Sequence, residues 1–244
     1  MSTSTSYFQA SRHPFPSVLL VVFLLGLYEV AMQWLTARGL PAIRTGVDAW
    51  LGAGLARWNI VWVWAPSLCV MIVVLTWTVL AWKNEPQDLL STLIGMTIEC
   101  ALAGIVLWGL FYLQQPFVKT CGLTLGAIRT ALIMAQCASF IGAAVFEETL
   151  FRLIAFAGLA WALKLLLRPG AAVTIALLLS SAAFAAAHHY GTQGEPWRRD
   201  VFLFRILAGS YFAILYQFRG FGIAVGAHAA YDVLIGLAGH ETYF

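Results

Sequence analysis

The sequence predicts an all-α, polytopic helical membrane protein with about seven to eight transmembrane helices, and three observations carry that prediction. Hydrophobic residues make up 61% of the 244 residues and charged residues only 10%, against roughly 25% charged in soluble domains. The mean hydropathy is +0.83. Apolar runs recur at bilayer length, about 20 residues for a helix, and helices satisfy their own backbone hydrogen bonds in lipid. No long polar segment is present that could form a soluble domain, so residues 1–244 read as a single membrane domain. The net charge of +3 is scattered, with no basic stripe, which argues against nucleic acid as a partner, while the apolar runs make the lipid bilayer one. Cys69, Cys100, Cys121 and Cys137 show no C-x-x-C spacing and read as small buried hydrophobes.

Residues 1–16 are polar, and 17–35 form the first predicted span. Gln33 and Trp34 occupy its exit, where a cleavage site needs small residues, so it reads as an uncleaved anchor. Glu29 and Gln33 share one face of it and either point at a cavity or, the favoured reading, lie near the headgroups. Residues 38–59 mix Gly, Pro, Arg and Trp, with Val47, Trp50, Leu51 and Leu55 at helical spacing, which suggests an interfacial helix or loop. The second span, 60–82, is flanked by Trp58, Trp62 and Trp64 at one end and by Trp77 and Trp82 at the other, as an aromatic belt requires. A turn at 83–86 leads to the third span, 89–113, with Glu99 at its middle. A lone mid-span acid is a functional candidate by default.

After a loop at 114–126, the fourth span covers 127–152, and 154–167 either extends it or lies in the interface. Arg168-Pro169-Gly170 stop that helix. The fifth span is 171–190, the sixth 201–218 and the seventh 221–237, with a polar loop at 191–200. In the seventh, Gly222, Gly226 and Ala230 recur every four residues, a pattern that lets helix backbones approach closely. Lysines and arginines fall in loops on both sides, so the charge rule leaves orientation open.

The chain is organised around Phe146-Glu147-Glu148-Thr149-Leu150-Phe151-Arg152. Charges at bilayer depth are costly and face a partner or a wet cavity. Glu148 and Arg152 are four apart with the acid first, the favourable order for a helical ion pair. Glu147, about 100° around the helix, has no local cation, and a buried carboxylate without one is a candidate general base. Two later helices add polar groups to bare apolar surroundings: Phe184 and His188, then His228 and Asp232, each pair spaced i,i+4 on one face.

E-E-x-x-x-R at Glu147, Glu148 and Arg152, F-x-x-x-H at Phe184 and His188, and H-x-x-x-D at His228 and Asp232 occur in that order. They resemble the motifs of the CAAX-protease and bacteriocin-processing family, the glutamic-type intramembrane proteases also called abortive-infection proteins. The resemblance covers roughly residues 130–240. It implies hydrolysis of a peptide bond in a membrane-anchored protein substrate, without a covalent intermediate, cofactor or metal. Mapped onto this chain, it implies that Glu147 and His188 hold and activate water, while His228 and Asp232 face the oxyanion. Glu148 and Arg152 would then brace the helix that positions Glu147. An ionised Asp232 cannot donate to an oxyanion, so its expected role is to orient His228 or to act protonated. A prokaryotic inner membrane is the expected location.

Other readings stay open at this level. Glu147, His188 and His228 also make a three-ligand zinc set with water as the fourth ligand, although H-E-x-x-H is absent. The polar helices could line a transport or proton-relay path with Glu29, Glu99 and Asp232 as stations, although the halves show no self-similarity. An idle relative acting as a scaffold or immunity factor is a third. Glu99 is unexplained by the family motifs and would line the same cavity if the third span packed beside the fourth.

Overall fold

The structure is a computed structural model, and it describes residues 6–82, 88–114, 130–191 and 194–237. Every regular element among them is helical: α1 (Tyr7–Ala10), α2 (Pro14–Ala37), α3 (Gly46–Ala56), α4 (Ala65–Leu80), α5 (Leu89–Gln114), α6 (Thr130–Glu148), α7 (Ala157–Leu163), α8 (Pro169–Ala187), α9 (Arg199–Arg219) and α10 (Phe221–Leu237). A π-helical segment, Thr149–Phe156, joins α6 to α7, so the chain runs helically from Thr130 to Leu163. Four helices among the described residues are long and apolar enough to cross a membrane: α2, α5, α8 and α9. The shorter apolar helices α4 and α10 span 16 and 17 residues. The protein is an integral helical membrane protein.

Local signals account for the helix ends. His13 Nδ1 accepts from the Phe15 amide at 3.1 Å ahead of Pro14, which needs no donor at the first helical position. Thr45 caps α3 by accepting from the Asp48 amide, and Asp48 lies in the first turn, where acids favour the helix dipole. Pro169 opens α8. Gly220 separates α9 from α10 at φ +97°, a conformation that side chains rarely adopt.

The second span starts later than composition suggests. The helix begins at Ala65, and Trp62 and Trp64 stack on each other ahead of it. The predicted turn at 83–86, most of the loop at 114–126, and Cys121 lie outside the described residues. The segment 154–167 continues the fourth helix through the π turn, as one of the two expected placements had it.

The core is organised on α10, which is buried along nearly its whole length and packs on α5, α6, α9 and α2. Its small-residue stripe faces the helix that carries Glu99: a Cβ on Gly226 would collide with Cys100 of α5. The third span therefore packs beside the seventh, and Glu99 does not reach the cavity described below. Glu99 accepts from Arg219 of α9 and from the Tyr7 hydroxyl of α1 (2.6 Å), and Arg219 also donates to Ser11.

Glu29 is also committed. It accepts two hydrogen bonds from Arg44, both at 3.0 Å, and one from Ser67. Arg44 donates further to Asp48 at 2.8 Å, and the Tyr28 hydroxyl donates to the same oxygen of Asp48. These bonds tie the stretch before α3 onto α2 and α4. Glu29 is thus an anchor between α2, α4 and the stretch before α3.

Candidate active site

Glu147 and Glu148 end α6, where the regular α-helical ladder gives way to the π segment. π turns relax the hydrogen-bond register and recur at functional sites. Thr149 donates from its hydroxyl to the Val145 carbonyl at 2.7 Å, which satisfies one acceptor at this junction. Phe146, Glu148 and Arg152 are almost fully enclosed.

The buried charges are shared between three helices. Glu148 Oε2 lies 3.0 Å from Arg152 Nε, and its other oxygen lies 2.9 Å from His228 Nδ1 on α10. Arg152 Nη2 donates to the Gly209 carbonyl of α9 at 3.1 Å, and the guanidinium sits 4.5 Å from the centre of the Phe184 ring on α8. The Gly209 carbonyl and the Phe184 ring face offset part of the cost of burying this charge pair, while Arg152 Nη1 is buried without a hydrogen-bond partner among the described residues.

His188 is the C-cap of α8. Its Nδ1 lies 2.8 Å from the Phe184 carbonyl. A carbonyl only accepts, so Nδ1 carries the hydrogen, and in the neutral ring Nε2 is left with a lone pair. That nitrogen faces Glu147 Oε2 at 3.8 Å. The Glu147 oxygen also lies 4.0 Å from His228 Nε2, and it is buried without a hydrogen-bond partner among the described residues. Asp232 Oδ2 lies 3.3 Å from the same His228 nitrogen. His228 thus faces a carboxylate oxygen at each ring nitrogen and can carry a proton on both.

All seven residues of the three motifs meet in one place, drawn from α6, the π segment, α8 and α10. Glu147, Phe184, His188, His228 and Asp232 line a cavity of about 440 Å³, while Glu148 and Arg152 stand behind its wall. Several neighbours were not legible from the motifs. Phe212 of α9 stacks on His228, with ring centres 4.5 Å apart and planes within 17°. Arg205, also on α9, lines the cavity and pairs with Glu195 at 2.7 Å. Arg44 and Gly46 bring the first half of the chain to the cavity wall. Only the arginines carried a signal in the sequence, as charges in or beside apolar stretches.

The arrangement defines a class, a membrane protein with paired carboxylates and histidines at the wall of an apolar cavity. Comparison with known proteins narrows it. Residues 129–234 match the type II CAAX prenyl endopeptidase Rce1-like family, and through this segment the chain is similar to the CAAX proteases. The family is one of proteases that act on membrane-associated proteins. Neither the curated proteins nor the solved structures give a match.

Proposed function

We propose that this protein is an intramembrane endopeptidase that hydrolyses a peptide bond through a water activated by Glu147. The observation that carries the reading is the unpartnered Glu147 oxygen facing His188 Nε2 at 3.8 Å on the cavity wall. Polar groups that face each other beyond about 3.5 Å are commonly bridged by a water. A water between them would donate one hydrogen to Glu147 and the other to the lone pair of His188, leaving its oxygen free to attack. Glu147 takes the proton as general base when the carbonyl is attacked and returns it to the leaving amine. His228 shares its Nε2 hydrogen between Asp232 and the oxyanion of the tetrahedral intermediate. Asp232 orients His228, and Glu148 holds the opposite nitrogen of the same ring.

Ligand atoms around a tetrahedral zinc at about 2.1 Å lie roughly 3.4 Å apart. Separations of 3.8 and 4.0 Å suit a hydrogen-bonded water better than a shared metal. The proposed substrate is the C-terminal tail of a membrane-anchored protein, prenylated or otherwise lipid-bound, and the proposed location is a prokaryotic inner membrane.

The test is cleavage of a panel of lipidated and plain C-terminal tail peptides by protein purified in detergent, with and without chelator. The expected result is cleavage that survives the chelator and is abolished in Glu147→Gln while the variant stays folded. Full activity in Glu147→Gln overturns the mechanism, and loss of activity on chelation transfers the site to a metal.

A further inference from the structure

Two cavities meet at Glu147 and His188. The larger is apolar over most of its wall, with Phe111, Phe140, Phe204 and Ile235 among its lining, and carries Arg44, Asp200 and Arg205 at its margin. A second chamber of about 100 Å³ opens on the same two residues and on Gly46. Trp50, Ala187, Tyr190 and Glu195 contribute to its walls and do not line the larger cavity.

The chamber differs from the cavity in character and in place. It offers carboxylate, imidazole, indole and phenol groups within a small space, and its volume accommodates several water molecules. It also reaches the surface. Tyr190, 75% exposed, packs edge-on against Trp50 at 5.9 Å, and the two rings stand at its outer end. Its inner end is the Glu147 carboxylate, which has one buried oxygen without a hydrogen-bond partner among the described residues. Buried polar atoms of this kind are normally satisfied, by protein or by ordered water.

We propose that this chamber is the water supply of the active site, filled past Trp50 and Tyr190, while the larger apolar cavity receives the substrate. The proposal rests on the reading of Glu147 as the base that activates water. Each turnover consumes one water. Its oxygen forms the new bond to the carbonyl carbon, the bond from that carbon to nitrogen breaks, and the transferred proton passes through Glu147 to the amine. A substrate filling the apolar cavity displaces water from that side, so replenishment from behind lets hydrolysis proceed without flooding the substrate site.

Thiol accessibility in proteoliposomes of the full chain tests this directly. Ala187→Cys places a thiol in the chamber, and Ser139→Cys places one in the larger cavity. The probe is 2-aminoethyl methanethiosulfonate, small and charged, with the parent chain as baseline for the native cysteines. The expected result is labelling of Ala187→Cys that rises several-fold when Tyr190→Ala opens the outer end, with labelling of Ser139→Cys unchanged. No labelling of Ala187→Cys even with Tyr190→Ala overturns the proposal, and so does equal acceleration at both sites, which would mean one continuous cavity. Val47→Cys, on another wall of the chamber, gives the same readings if Ala187→Cys does not fold. Labelling does not depend on which residue is the base. A dry chamber therefore fails separately from an active Glu147→Gln variant.

Discussion

Glu148 Oε1 and His228 Nδ1 lie 2.9 Å apart, joining α6 to α10 across eighty residues of chain. The same carboxylate holds Arg152. Removing its charge therefore strands a guanidinium and releases an imidazole in one step. Glu148→Gln is expected to lower stability by about 3–5 kcal/mol, the range for breaking a buried pair. Thermal unfolding in detergent measures it. Arg152→Gln should cost a similar amount, and the double variant clearly less than the sum, because the two residues share one interaction. Additive losses would show that they do not act as a pair.

Phe212 holds the face of His228 and also lies 5.6 Å beneath the Arg152 guanidinium. Phe212→Leu keeps most of the apolar volume and removes the stack, which is worth about 0.5–1.5 kcal/mol. If that energy orients His228 in the transition state, kcat falls up to about tenfold. KM on the same peptide should move little. A change confined to KM would assign Phe212 to substrate binding instead.

Glu99 is expected to be structural. With Arg219 and Tyr7 as its partners, it stands outside the cavity, and its pair with Arg219 is partly exposed. Glu99→Gln should therefore cost roughly 1 kcal/mol, as for partly screened pairs, and leave peptide cleavage at the wild-type rate. Lost activity with unchanged stability would return Glu99 to a relay role.

The close approach of α10 to α5 gives a paired prediction. Gly226→Ala forces a methyl against Cys100 and should cost about 1–3 kcal/mol as overpacking. Cys100→Ala removes the sulfur it meets, so the double variant should regain much of the loss. Equal instability of Gly226→Ala in both backgrounds would place the strain elsewhere.

What could be read in advance follows the range of each signal. Glu148 with Arg152, Phe184 with His188 and His228 with Asp232 are one helical turn apart, so spacing alone puts each pair on one face. Their assembly into one site was legible only because three such pairs occur in an otherwise apolar background. Phe212 gave no warning, because one aromatic residue in an apolar helix is indistinguishable from core until packing is known. The partner of Glu29 went unread for a related reason: Arg44 lies beyond the end of the helix, in a stretch whose path periodicity does not describe. The link from Glu148 to His228 depends on α10 lying beside α6, which no local pattern states.

The π-helical passage from Thr149 to Phe156 has a consequence for how the rod from Thr130 to Leu163 tolerates change. Each of its turns holds about one residue more than an α-helical turn, so across its 8 residues the helix after it falls out of angular phase with the helix before it by roughly one to two residues' rotation, on the order of 100–200°. Glu147 and Glu148 lie upstream of that offset, and α7 lies downstream. Excising one residue within the passage would turn α7 against α8 without rotating the two glutamates. The passage thus sets the angle at which the outer part of the rod leaves the acidic pair, and α7 packs on α8 from beyond it.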